Sequence, residues 1–182
     1  MNADDQAIQQ TKNWLEGIVI KHNFCPFAAK PFHQNTIRYA VSHVNNERAL
    51  VDELVSEIAL LCDVRAEDQE TSLLILTACL ADFDDYNQFL NVADAILEEM
   101  DLLGVIQIAS FHPDYCFADL SPEDVRNYTN RSVYPMFHLI REDSVTIACD
   151  TYPDIDLVPE KNEQKLNAMG LDQVLRQIKA CL

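Results

Sequence analysis

Ser72-Leu73-Leu74-Ile75-Leu76-Thr77-Ala78-Cys79 carries four consecutive aliphatic residues between polar or small neighbours. A run this short and this continuously apolar predicts a strand covered on both faces, because a strand with one wet face would alternate. Sheets of that kind lie between helices, and the flanking sequence supplies them. Upstream, Leu50, Leu54, Ile58 and Leu61, with Val51 and Val55 beside them, predict an amphipathic helix after Asn46. Downstream, Phe83, Tyr86, Leu90, Ala93, Leu97 and Met100 predict a second one that Gly104 terminates. Further out, Ile37 to Val44 alternates Ile37, Tyr39 and Val41 with Arg38, Ala40 and Ser42, as a strand does, and Val105 to Phe111 supplies a third strand. A first helix runs through Ile8, Thr11, Leu15, Ile18 and His22 and ends near Asn23, before Pro26 and Pro31.

The order α-β-α-β-α-β predicts right-handed crossovers within one compact α/β domain over residues 1–182. The expected sheet is small, three-stranded or four-stranded and mainly parallel, with helices around it; a ferredoxin-like arrangement with an antiparallel strand is the alternative. A helical C-terminal region should follow. Ser121-Pro122-Glu123-Asp124 reads as a helix start, and Tyr134-Pro135 as another, with Met136, Leu139 and Ile140 on one side and His138, Arg141 and Glu142 on the other. Pro153 and Pro159 divide what comes next, and Glu160–Met169 and Leu171–Cys181, separated by Gly170, form a closing helical pair.

At 48% hydrophobic residues, 182 residues suffice for one well-buried core. The formal net charge of -17 argues against nucleic acid as a partner, since a phosphate backbone would meet a repulsive average field. The segment Met1 to Lys12 is polar and acidic, unlike a secretory signal, and no apolar run approaches the ~20 residues that cross a bilayer. The six cysteines are widely spaced, with no C-x-x-C pair. A cytoplasmic protein with reduced thiols and no membrane partner is expected. The sequons at Asn127 and Asn130 then call for another explanation than glycosylation.

Parallel strands bring Ser42 and His43, Thr77 and Cys79, and Ser110 to Asp114 to one rim, where open α/β sheets bind ligands. In Ser110-Phe111-His112-Pro113-Asp114-Tyr115 a strand pattern stops at a histidine and a carboxylate two residues apart. His112 and Asp114 can be a metal-ligand pair, a base held by an acid, or a turn in which both bond locally. His22 and Cys25 near a helix end offer nitrogen and sulfur, and with His112 and Asp114 they make four potential ligands for a transition metal. Alternatively Cys25 is a nucleophile with His112 as base and Asp114 orienting it, or Cys25 is a small buried apolar residue. Asn127, Asn130, Arg131 and Ser132 form a third group, whose amides and guanidinium could hold a carboxylate or phosphate, with His138 supplying a proton and Arg141 and Glu142 orienting it; local capping is the competing account. With only three glycines there is neither G-x-G-x-x-G nor a P-loop, and G-x-S-x-G is missing, which disfavours dinucleotide, nucleoside triphosphate and α/β-hydrolase chemistry.

Thr11-Lys12-Asn13-Trp14, Asn23-Phe24-Cys25-Pro26-Phe27, Gln107 to Tyr115 and Asn127 to Ser132 together make the chain resemble the family called domain of unknown function 1415, over almost its whole length. The resemblance implies a compact, cytosolic, mainly bacterial single-domain protein and brings no particular reaction with it. In that family's pattern, proline often stands where this chain has Val133, and glutamine where it has Cys116, so Cys116 is a poor choice for an essential thiol. The leading expectation is a small-molecule enzyme whose pocket combines Cys25, His112, Asp114, Arg131 and His138, assisted by a transition metal and acting on an anionic substrate. The alternative is a non-catalytic metabolite-binding or adaptor protein using the same rim.

Overall fold

Strands β1 (Ile37–Ser42), β2 (Thr71–Leu76), β3 (Ile106–Phe111) and β4 (Met136–Arg141) pair side by side in the order β1-β2-β4-β3 in a computed structural model that describes residues 2–152 and 154–182. Met1 and Pro153, at which the sequence predicts a break, lie outside the described residues. β1 and β2 are parallel, with Tyr39 opposite Leu73, whereas β4 runs against both its neighbours, with Phe137 opposite Leu74 and Ser110. The sheet is therefore mixed, not mainly parallel. β1, β2 and β3 nevertheless point the same way, because β3 and β2 are both antiparallel to β4. Their carboxyl ends share one rim, and β4 starts there.

β2 is buried along its whole length, as its apolar run requires. Leu74 and Leu76 join Phe137, Leu139 and Ile106 against α3 (Glu47–Asp63) and α4 (Phe83–Glu99). Leu73, Ile75 and Met136 face the other layer, built from α1 (Ala3–Trp14), its π-helical continuation Leu15–Ile20, α6 (Val158–Met169) and α7 (Leu171–Cys181). Two short helices, α2 (Ala29–Gln34) and α5 (Glu142–Thr151), complete the chain's helical elements among the described residues, apart from brief 3-10 turns. Asn46 caps α3 by accepting the Ala49 amide, and Asp82 caps α4 by accepting those of Asp84 and Asp85.

Three expectations are corrected. Tyr134-Pro135 opens no helix, and Met136–Arg141 is the strand β4: Met136, Leu139 and Ile140 satisfy helical spacing, but the same residues read as a short strand enclosed on both faces. Ser121–Asp124 starts no long helix, because the carbonyls that such a helix needs are taken by side chains, Ser121 by Asn127 Nδ2 (2.8 Å) and Pro122 by Arg131 (2.7 Å); only the 3-10 turn Val125–Thr129 follows. α4 stops before Gly104. Asp101 adopts left-handed backbone (φ 57°), and Leu102 and Asp101 donate to the carbonyls of Leu97 and Glu98, a Schellman closure with aspartate in glycine's usual place.

Candidate functional site

The rim is organised from beneath by Tyr86 and His112. Tyr86, fully buried on α4, accepts the Phe111 amide (3.1 Å) and donates to the Met136 carbonyl (2.7 Å), tying β3 to β4. Burial raises its pKa, so the hydroxyl stays protonated. His112 has no exposed surface, and its ring lies 5.1 Å from that of Tyr86 and 5.4 Å from that of Phe83. The Asp114 amide donates to His112 Nδ1 (3.0 Å), so Nδ1 is unprotonated and Nε2 carries the hydrogen, donated to the Leu80 carbonyl (3.2 Å). Both nitrogens are used. Desolvation lowers the His112 pKa, only partly opposed by the Leu80 carbonyl and the Asp114 charge, which keeps the ring neutral. Leu80 itself sits in left-handed backbone (φ 54°), so His112 pins a strained turn after β2.

The polar segment 127–132 shapes the loop between His112 and Asp124. Asn127, fully buried, accepts the Phe117 amide (3.0 Å) and donates to Ser121. Asn130 Nδ2 donates to the Ser110 carbonyl (3.1 Å), the His112 amide donates to Asn130, and the Ser132 amide donates back to His112. Ser132 Oγ turns inward to the Tyr134 carbonyl. Arg131 donates from Nε to Tyr115 (2.9 Å), from one terminal nitrogen to Pro122 (2.7 Å) and from the other to the Tyr128 hydroxyl (3.2 Å), with its guanidinium 4.8 Å from the Tyr128 ring centre. Three of its five N–H groups are thereby used. Among the described residues it forms no ion pair.

That loop and the first turns of α4 line an open cavity of about 750 Å³, with Phe83, Asp84, Asn87, Asp114, Tyr115 and Arg131 among its walls. The Tyr115 ring lies 5.1 Å from Phe83 and 5.0 Å from Phe117, which gives one side an aromatic lining. The cavity opens at the strand carboxyl ends and gathers Asp114 and Arg131, two of the residues singled out from sequence.

The other candidates lie elsewhere. Cys25 packs beside the α1 layer, its thiol pKa raised by burial, while His112 packs into the α4 layer on the opposite face. His22 bonds Gln177 (2.6 Å) and its carbonyl receives Lys165. His138 also faces the α1 layer, since its opposite number on β2 is Leu73; its ring bonds Thr71 (2.8 Å), whose hydroxyl donates to the Leu139 carbonyl, so the Nε2 of His138 bears the proton. Desolvation pushes the His138 pKa down to about 4. Arg141 stands at the far end of β4, about 17 Å from the rim at a strand's rise per residue. There it closes the end of α3 by donating to Leu61 and Val64 (2.6 Å each) and Gln69 (3.1 Å). The proposed ligand quartet of His22, Cys25, His112 and Asp114 is not gathered, and among the described residues no cluster of three or more His, Cys, Asp or Glu could hold a metal ion.

The model of the family described as Protein of unknown function (DUF1415) matches residues 6–176. The chain belongs to this family. The match takes in β1–β4, the 112–132 loop and every residue placed at the rim cavity. No curated protein and no solved structure matches the chain.

Sequence reasoning missed Phe83, Asn87 and Tyr115 as cavity walls, and Tyr86 as the clamp beneath. The available signal was positional: Asp82, a capping residue just after β2, places the start of α4 at the rim. A hydrogen-bonded chain from Asp4 through His43 (2.7 Å) to Thr77 (3.0 Å) also forms at the rim ends of β1 and β2. It is exposed, and the Thr77 hydroxyl donates to the Ser42 carbonyl (2.7 Å), which leaves no free proton for His43 to withdraw.

Proposed function

We propose that the protein binds a small organic carboxylate in the rim cavity, and that it does so as a binding protein and not through the histidines first considered for catalysis. The observation that carries this reading is Arg131: a guanidinium in the cavity wall, oriented by three fixed acceptors, with two N–H groups left and no carboxylate paired to it among the described residues. The aromatic side formed by Phe83 and Tyr115 suits an apolar or planar body, and Asp84 and Asp114 suit a positively charged group at the ligand's other end. His112 acts from behind, by holding the Asp114 amide, and the side chain of Asp114 is the one group among the original catalytic candidates that reaches the cavity.

The test is an NMR titration of the full chain with phenylacetate and with its neutral counterpart phenylacetamide. Phenylacetate should shift the amides of residues 114–118 and the Arg131 Nε–H, and should bind about tenfold more tightly than the amide, the ratio expected for one charge-assisted contact. Asn87→Trp, an exposed position on α4 that faces the cavity, should remove these shifts without lowering stability. Equal binding of the two probes, or shifts scattered away from the cavity, would overturn the reading.

A further inference from the structure

The free edge of β1 is open to an added strand. Thr36 and Ser42 turn their carbonyls to β2, accepting Glu70 and Thr77 amides, so by the two-residue period of a strand Arg38 and Ala40 also pair inward. Ile37, Tyr39 and Val41 therefore point their amides and carbonyls outward, and no group among the described residues bonds them. A groove of about 480 Å³ follows this edge between α1 and α3. Its two banks differ. On the α1 side are Ile8 and the Tyr39 ring, the latter already faced by Lys12 at 5.0 Å, and Asp4, whose carboxylate is held by His43 (2.7 Å). On the α3 side are Asp52, Glu53 and Glu57; Glu57 is neutralised by two bonds from Arg38 (2.8 Å each), while Asp52 and Glu53 have no cationic partner among the described residues. Glu53 Oε2 is shielded from solvent and has no hydrogen-bond partner, an arrangement that costs free energy until a donor arrives.

We infer that this groove takes up an extended basic peptide segment by strand addition to β1, with lysine or arginine side chains on the α3 bank and apolar ones on the α1 bank. Outward amides supply the main-chain ladder, and the alternation of banks reads a period-two pattern. Charge decides against a second copy of this chain as occupant: edge-to-edge pairing would bring one copy's Asp52 and Glu53 towards the other's, in chains that each carry -17. The inference is independent of the rim cavity, which lies across the molecule on the loop between His112 and Asp124.

The probes are a capped peptide of alternating lysine and valine and its glutamate–valine counterpart, each added to the full-length protein while amide hydrogen exchange is followed by NMR. The basic peptide should slow exchange at Ile37, Tyr39 and Val41 by about tenfold or more at saturation, and the acidic one should leave it unchanged. The double variant Asp52→Asn with Glu53→Gln should weaken binding by about tenfold. Val41→Pro removes an outward donor while keeping the inward ladder, and should abolish the protection; Asp52→Lys, a charge reversal at an exposed position of α3, serves the same end if the proline variant does not fold. The inference is overturned by unchanged exchange at saturating peptide, by equal protection from the acidic peptide, or by edge protection that grows with protein concentration alone, which would mark a second copy.

Discussion

His112, just past β3, and His138, on β4, are both engaged by local hydrogen bonds, for different reasons. His112 holds the Leu80 carbonyl and the Asp114 amide, so its chemistry is spent on the shape of two loops. His138 serves Thr71 on the other face. Its pKa, near 6.5 in an unfolded chain, is pushed down to about 4 when folded, so between those values the unfolded chain binds the extra proton. The stability due to neutral His138 is full above about pH 6.5 and is lost as the pH falls towards 4, by about 3 kcal/mol at the limit. Urea midpoints at pH 7 and pH 5 should therefore differ more in the wild type than in His138→Phe, which has no proton to take up; identical differences would refute it. Thr71 tolerates the change, since its own hydrogen stays on Leu139.

Among the elements, β4 was the one hidden by its own composition. A central strand with both faces covered has no polar side to announce its period, and Met136-Phe137-His138-Leu139-Ile140 fits a helical stripe as well as a strand. β2 was readable as a continuous apolar run between the amphipathic helices α3 and α4, and β1 and β3 as short strand patterns each adjoining one of those helices. What locks β4 in place at the rim is Tyr86, which no pattern in the sequence distinguishes from an ordinary core aromatic. Tyr86→Phe leaves the Phe111 amide and the Met136 carbonyl without their bridge and should cost about 1–3 kcal/mol in urea unfolding, with faster exchange at the Phe111 amide. A loss well below that range would mean that water replaces the hydroxyl.

At the scale of the whole molecule, charge works against compactness. The chain carries 30 acidic and 13 basic residues, and its ion pairs among the described residues, such as Arg38–Glu57 and Arg126–Asp124, offset little of the excess. Screening should relieve the self-repulsion, so raising sodium chloride from about 0.05 M to about 0.5 M should raise Tm by roughly 2–4 °C, equivalent to about 1 kcal/mol for a domain of this size. A lower Tm in salt would show that local ion pairs outweigh the net field. All six cysteines are free thiols, so no covalent link shares the work of holding the fold. No helix among the described residues is long and apolar enough to cross a membrane.

Sequence alone determined the α/β class, the helices around the sheet, the first three strands and the rim at which their carboxyl ends meet, because each of these is written in local periodicity and capping residues. It also carried the family membership, through motifs that are contiguous in the chain. Only the tertiary structure decided that β4 enters between β2 and β3, that His138 and Cys25 lie across the sheet from His112, and that Arg141 stands a strand's length from Arg131. The physical reason is the same in each case. Which face a side chain takes, and which acceptors use up its donors, depends on the strand's partners, and those partners are dozens of residues away in sequence.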